Sequence, residues 1–556
     1  MLDSVFRIEV TSKRLNQGEP WLGDATRSSS GSGFALRYKG RDWIVTNAHV
    51  VSNATRIKIN CGLDGTKYTV NVAVMAHACD LALLDISDET EKKKFWEKAV
   101  PLNVIEGIWT RTHGEVVALG FPIGGTELSK TSGSITRTDV QTYTHSRISL
   151  LKSETQAIIN PGNSGGPVVA ECKDGKYKDV IGVAFQSDPK LGNIIPAVIL
   201  RHLLDDVIRH NRYTGFPNIS MTHQKIENSA LRTRYGIEEA ESKISGVLLS
   251  KIDRQSAAHG LLRPGDVLLS VDGCGINNNG KIKIPGMDAE PIDFEHAINN
   301  RFMYETIPFE VWREKRRVTV HVPLTISCPS TLYPVDPEKK AAYVYQDGVI
   351  IQHLTYDFVR SFISPNGMYN GPTGLYPILN NKFSQNQTKW IKKFILALVL
   401  DAPETESYKL YHENVISTIN GKKVSSIWDV KNAFDQNMAS AHEITLEPDD
   451  TIIVLPKLSA ERSLALRTQY DVQYAESPRY ASGVAWRKFM KKFQESKFLE
   501  SKKDTVKVKV KLTKNGDVTV SIGVIDAFPL SVSSSSSSSS SSHSPTRDDA
   551  TPIPKL

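Results

Sequence analysis

The chain has 556 residues, of which 40% are hydrophobic and 23% charged, an ordinary globular balance with room for about three or four domains. Its five cysteines (Cys61, Cys79, Cys172, Cys274, Cys328) are odd in number and lack metal-ligand spacing, which argues against a disulfide framework and for a reducing compartment. The net charge of +7 is concentrated between Arg487 and Lys514, where eleven Lys and Arg face three acids, so attraction to nucleic acid would rest on that segment alone and is disfavoured for the chain as a whole.

Residues 1–205 read as many short β-rich runs separated by Gly, Asn and Asp. The chain enters a first strand at Ser4–Ile8 with no visible signal peptide. A Gly-rich turn is expected at Ser30-Gly31-Ser32-Gly33-Phe34. The β-branched run Trp43-Ile44-Val45-Thr46 then leads through Asn47-Ala48 to His49. In His77-Ala78-Cys79-Asp80-Leu81-Ala82-Leu83-Leu84 an aspartate opens a buried apolar strand, whereas the nearby Asp85 closes it. Asn160-Pro161-Gly162-Asn163-Ser164-Gly165-Gly166-Pro167 places a serine among glycines, which allow a tight turn with an exposed hydroxyl and converging backbone amides. In the order His49, Asp80, Ser164, these residues suit a general base, the carboxylate that orients it, and a nucleophile. Amides at Gly162, Asn163 and Ser164 are the candidate oxyanion hole. A strand at Val180–Gln186 and a helix over Ile199–Ile208 close this region before a linker at Gly215-Phe216-Pro217.

Residues 218–326 form the next unit. A strand at Ser245–Ile252 precedes Pro264-Gly265-Asp266, a second strand and the Asp272-Gly273 turn. Residues 340–458 repeat the strand pattern more loosely, with an Asn420-Gly421 turn, no Pro-Gly-Asp, and a long insertion over 364–388. Beyond them, Trp486–Phe493 has the period of a basic amphipathic helix, and Val506–Lys511 alternates into Asn515-Gly516 as a hairpin. The run Ser533–Ser542 is low-complexity and expected to be disordered. The longest apolar run, Phe394–Leu400, is far too short to span a bilayer.

The segments Thr46–Val51, Asp80–Leu84 and Gly162–Pro167, with Gly120-Phe121-Pro122-Ile123-Gly124-Gly125 and Thr131-Ser132-Gly133-Ser134-Ile135, resemble the HtrA/Deg serine proteases, most of all their eukaryotic and plant branch. That resemblance implies a mainly β chain. A chymotrypsin-like double β-barrel would occupy 1–212, a PDZ domain 218–326 and a degenerate PDZ-like domain 340–458. A basic extension over 459–530 and a Ser-rich tail over 531–556 would follow. It also implies ATP-independent, cofactor-free cleavage of unfolded or damaged proteins, with a peptide-binding chaperone or scaffold carrying a dormant protease domain as the alternative.

The residue six before the nucleophile lines the S1 pocket in such barrels. Here it is Ile158, with Ala184 and Phe185 beside it, and an apolar base favours small or medium aliphatic P1 side chains. Where digestive-type relatives carry an aspartate before the nucleophile, this chain carries Asn163, so ordering of a loop over Gly124–Thr138 is the expected switch. Tyr235-Gly236-Ile237 is the best match to a loop that binds a peptide's C-terminal carboxylate. The family assembles as trimers or their multiples, so a homo-oligomer, trimer or hexamer, is expected. The cytosol or nucleus is the expected location, or an organelle if the N-terminus is incomplete.

Overall fold

The structure is a computed structural model. It describes residues 3–475, except 16–18, 23–24, 62–64, 111–112, 126, 172–176, 188–190, 238–243, 254–255, 285–289, 326–337, 356–357, 360–361, 365–367, 373–374, 376–392 and 473–474. It also describes the backbone of 506–512 and 518–524. The chain divides into two units, Met1–Tyr480 and Ala481–Leu556.

The first six strands, β1 (Val5–Arg14), β2 (Ala25–Tyr38), β3 (Arg41–Thr46), β4 (Ala54–Cys61), β5 (Thr66–Ala76) and β6 (Leu81–Asp85), close into a barrel in the order β1-β2-β3-β6-β5-β4. The expected turn at Ser30–Phe34 is the middle of β2 instead, because Ser30 to Phe34 pair with Glu9 to Val5 on β1. Glycine there makes room rather than a turn: a Cβ at Gly33 would sit 2.7 Å from the Ile8 side chain and 2.9 Å from the Val45 carbonyl.

The second barrel begins after helix α2 (Glu89–Lys98). Its strands are β7 (Asn103–Val104), β8 (Glu115–Gly120), β9 (Ser129–Thr142), β10 (Ser149–Thr155), β11 (Pro167–Glu171), β12 (Tyr177–Ser187) and β13 (Gly192–Pro196). They run β11-β8-β9-β10-β13-β12-β7, and an added β11–β12 pairing closes the ring. Most of the segment expected as a loop over Gly124–Thr138 is strand β9, paired with β8 from Ser129 to Ser134 and with β10 beyond. Its small and β-branched residues fit a ladder better than a free loop. Helix α3 (Ala197–His210) follows, burying Ile199, Leu200, Leu203 and Leu204 on one face.

A sheet in the order β14-β15-β16-β20-β21 occupies the region of the first PDZ-like domain. Its strands are β14 (Met221–Lys225), β15 (Val247–Ile252), β16 (Val267–Val271), β20 (Thr306–Arg313) and β21 (Arg316–Pro323); the short β17 (Cys274–Gly275) joins β16, and β18 (Lys281–Ile282) pairs with β19 (Ile292–Asp293). The β18–β19 pair docks on the second barrel: Lys281 Nζ lies 2.5 Å from Asp139 on β9, whose other oxygen accepts the Asp293 amide. His202 of α3 stacks between Phe216 and Phe302.

A six-stranded antiparallel sheet, β22 (Tyr343–Gln346), β23 (Val349–His353), β24 (Phe394–Val399), β25 (Val415–Ile419), β26 (Ala441–Leu446) and β27 (Thr451–Pro456), forms the second PDZ-like domain. Asn420 and Gly421 both adopt positive φ, +49° and +71°, as their two-residue turn requires. Trp21, between β1 and β2, is only 3% exposed and sits in this domain's core with its ring 6.2 Å from Tyr343.

In the second unit, β28 (Val506–Leu512) and β29 (Val518–Val524) form the expected hairpin. The basic helix at 486–493 and the Ser-rich run lie outside the described residues. No helix among the described residues is long and apolar enough to cross a membrane.

Candidate active site

Antiparallel pairing brings His49 and Asp80 together. Thr46, the last residue of β3, faces Ala82 near the start of β6, so the segment that leaves β3 meets the segment that enters β6. Helix α1 (Ala48–Val51) starts at this junction. Its N-cap Asn47 gives no side-chain cap to the helix. Asp80 does that work from across the sheet: its carbonyl accepts the Ala48 amide and the Asn47 side chain, and its Oδ1 accepts the His49 amide at 2.9 Å. Its Oδ2 lies 2.7 Å from His49 Nδ1. Asp80 is 1% exposed and held at φ +53°, an uncommon conformation for a residue other than glycine. The alternative Asp85 is half exposed and pairs with Lys92.

Ser164 lies on the turn before β11. That strand is gripped on one side by β8 (Val168 opposite Ala118) and on the other by β12 (Pro167 opposite Val183). Gly162 and Gly165 take φ +101° and +86°, and a Cβ at Gly165 would lie 2.2 Å from the Ser32 carbonyl. The Gly165 amide donates to Ala184, and the Ala184 amide donates back to Gly166.

The Gly162 and Ser164 amides of the loop have no acceptor among the described residues. The carbonyls that share their peptide planes are anchored: Pro161 accepts from the Ile123 amide and Asn163 from the Gly166 amide. A trans peptide directs its N–H opposite its carbonyl, so both amides are turned away from those anchors. The Asn163 amide, expected with them, is committed to the Asn160 carbonyl at 2.9 Å. The Asn163 side chain is fully buried, and neither of its polar atoms finds a partner among the described residues. Ser164 Oγ donates to the Phe185 carbonyl at 3.3 Å and not to His49.

Of the residues expected around S1, Ile158 is 60% exposed, and its carbonyl accepts the Thr131 hydroxyl. Ala184 is buried, and Phe185 is buried with its ring 4.9 Å from Tyr143. Phe185 therefore meets Ser164 through its backbone, while its side chain fills the core.

Two family models match: a trypsin-like peptidase domain over residues 31–183 and a PDZ domain over residues 334–479. A putative protease Do-like 3, mitochondrial, from Arabidopsis thaliana is 29% identical over 464 residues, which is 83% of this chain and 77% of that protein. Protease Do-like 4, mitochondrial, from the same plant is 32% identical over 371 residues, 66% of this chain and 67% of its own length. This chain belongs to the HtrA/Deg family of Do-like serine proteases. It is a serine endopeptidase. A solved HtrA-type protease AlgW with decapeptide is 21% identical with a TM-score of 0.41, covering 59% of this chain and 97% of that one.

The PDZ match falls on the second sheet of this HtrA/Deg chain, the one that lacks Pro-Gly-Asp. In the first, Tyr235-Gly236-Ile237 does not offer free amides. All three cap helix α4 (Ser229–Arg234), donating to Leu231, Thr233 and Arg232 respectively, so in this conformation none is available to a carboxylate. A Gly two residues after a basic helical run is an ordinary helix stop, and that signal was available in the sequence.

Three residues around the site were not legible from spacing. Ser32 on β2 is buried; its hydroxyl donates to the Gly162 carbonyl and accepts the Phe121 amide, both at 2.8 Å. His145 places its ring 6.2 Å from that of His49. Glu338 reaches the end of α1 from the start of the second PDZ-like domain.

Proposed function

We propose that this HtrA/Deg endopeptidase cleaves unfolded or damaged polypeptides without ATP, with Ser164 as nucleophile, His49 as base and Asp80 orienting it. His49 takes the Ser164 proton as Oγ attacks the scissile carbonyl, and later returns it to the leaving amine. The acyl-enzyme is then hydrolysed by water along the same proton route. Asp80 holds the Nδ1 proton and stabilises the imidazolium. The amides of Gly162 and Ser164 receive the carbonyl oxygen as it becomes an oxyanion. The observation that carries this reading is the pairing of Asp80 with both the ring and the amide of His49, beside a serine turn with two amides unpaired among the described residues.

Ile158 supports cleavage after Val, Ala, Leu or Ile, since an isoleucine gives a Lys or Arg side chain no partner. Unfolded peptide substrates and a trimeric or hexameric assembly complete the reading. The relatives' mitochondrial and chloroplastic names favour an organelle over the cytosol or nucleus.

Digestion of an unfolded test protein, with products mapped by mass spectrometry and the oligomer sized by light scattering, tests these points. Aliphatic cleavage sites that vanish in Ser164→Ala are expected. A dominant Lys or Arg preference would refute the pocket reading, and a fully active monomer would refute the assembly. One observation favours a conditional enzyme: the Ser164 hydroxyl rests on the Phe185 carbonyl rather than on His49. A chaperone or scaffold with a dormant protease would keep that arrangement permanently, and would show no Ser164-dependent products under any condition.

A further inference from the structure

We propose that Glu338, from the segment that leads into the second PDZ-like domain, is a positioning residue of the active centre, its carboxylate tying the helix that carries His49 to the turn that carries Asp80. The proposal rests on the Ser164–His49–Asp80 reading above.

The argument starts from how little holds α1. Four residues make one turn, too short to stand without outside partners. Asp80 satisfies the amides at its start. At its end the chain leaves the helix at Ser52 and turns through Asn53 at φ +55°. Glu338 meets both residues: Oε1 accepts the Ser52 hydroxyl at 2.6 Å, and Oε2 accepts the Asn53 amide at 2.8 Å.

The same Oε1 lies 3.2 Å from His77 Nε2, within ion-pair reach although off the hydrogen-bond axis. His77 opens the 3-10 turn His77–Cys79, and its carbonyl accepts the Asp80 amide. One carboxylate therefore touches both polypeptide segments that set the His49–Asp80 contact. Its residue lies outside the stretch matched as a trypsin-like peptidase domain.

Glu338 is itself held in place. Two residues on, Lys340 Nζ donates to the Leu22 carbonyl at 2.5 Å, next to Trp21 in the core of the second PDZ-like domain. Displacing that domain would therefore pull on the segment that carries Glu338.

The contact also has an electrostatic side. His77 Nδ1 is 2.8 Å from His145 Nε2, and the His145 ring packs 6.2 Å from that of His49. Burial pushes the His145 imidazole down from its ordinary pKa, as do the neighbouring His77 and His49, while Asp80 and Glu338 pull the other way. Glu338 and Asp80 are thus the anions of a cluster of three imidazoles that includes the general base. Removing the Glu338 charge takes away one of the two anions that favour the His145 imidazolium.

The test uses the full chain, a short peptide substrate and kcat and KM measured across pH for wild type, Glu338→Ala and Glu338→Gln, with Ser164→Ala as control and circular dichroism to report folding. Glu338→Ala should lower kcat about tenfold with KM nearly unchanged, as expected when a catalytic pair loses alignment. Glu338→Gln keeps the shape and one acceptor. It should therefore retain most of kcat, a rescue that a merely electrostatic or bulk structural role would not give. Wild-type kcat and profile in Glu338→Ala would overturn the proposal. So would a loss in Glu338→Ala that only tracks the folded fraction, or a Glu338→Gln variant no more active than Glu338→Ala. Activity surviving in Ser164→Ala would instead remove the triad reading, and the brace with it.

Discussion

The two halves of the proposed active centre are built in opposite ways. The half in the first barrel is closed: Asp80 uses its carbonyl and both carboxylate oxygens on the segment Asn47–His49, and is itself buried. The half in the second barrel is open at the point of chemistry, with the Ser164 hydroxyl resting on Phe185 and the Gly162 and Ser164 amides without acceptors among the described residues. In the base half Asp80 is already paired with the ring and the amide of His49 before substrate arrives. In the nucleophile half donors are left for a substrate carbonyl to fill. A protease organised this way can regulate attack by moving one hydroxyl while leaving its base assembled.

Substitutions on each side can sharpen or break that contrast. The largest effect is expected from Ser164→Ala, which should abolish cleavage of an unfolded protein, a loss of about 10⁵-fold or more, with His49→Ala nearly as severe and the double variant no worse. Full activity in Ser164→Ala, read by gel or mass spectrometry, would end the assignment. Next comes Asp80→Asn, which keeps the shape but offers His49 Nδ1 the wrong partner; kcat should fall about 10³–10⁴-fold. A loss below tenfold would mean that the first-barrel half is not set by Asp80.

On the open side, Ser32→Ala removes the link between the Phe121 amide and the Gly162 carbonyl. The Gly162 peptide is then free to rotate its amide out of line. We expect about a tenfold drop in kcat, or on the order of 1–2 kcal/mol of lost transition-state stabilisation, with the melting temperature changed little by comparison. Equal losses in stability and kcat would show that Ser32 acts only on the fold.

The smallest effect lies outside the centre, at Glu295 on α5 (Glu295–Asn299). Burial, helped by the nearby Asp293 charge, pushes the Glu295 carboxyl up to about 7 from 4.5. A raised carboxyl adds stability in full below its unfolded pKa and loses it as pH rises through the folded one, here between about 4.5 and 7. Glu295→Gln should therefore raise the melting temperature at pH 8 by about 2–4 °C, the shift of roughly 1 kcal/mol in a unit of 150–250 residues, and give no gain near pH 4. A uniform change at both pH values would exclude the charge as its cause.

Much of the fold and of the candidate site's geometry was legible beforehand because the candidate residues sit in short contiguous segments. A β-branched run ending at Asn47-Ala48-His49, an aspartate opening an apolar strand and a serine among glycines each announce a local geometry, and the closed barrels follow from the β-rich runs that flank them. The failures share one cause. Ser30–Phe34 looks like a turn because Gly and Ser dominate it, and Gly124–Thr138 like a loop because glycines and polar residues do, yet partner strands take up the backbone of Ser30–Phe34 and of Ser129–Thr138. Tyr235-Gly236-Ile237 looks like a receptor for a carboxylate, yet its amides are consumed by the helix it ends.

The sequence by itself determined the residue types, their order along the chain and the turns that only glycine permits, since those depend on one stretch of backbone at a time. The tertiary structure alone decided which amides remain unpaired, that Phe185 turns its side chain into the core, that Trp21 is buried in a domain more than 300 residues away, and that Glu338 reaches the end of the helix bearing His49. Hydrogen-bond occupancy and burial belong to the partner as much as to the residue, and for these residues the partner is chosen by sheet pairing and domain docking rather than by the neighbouring sequence.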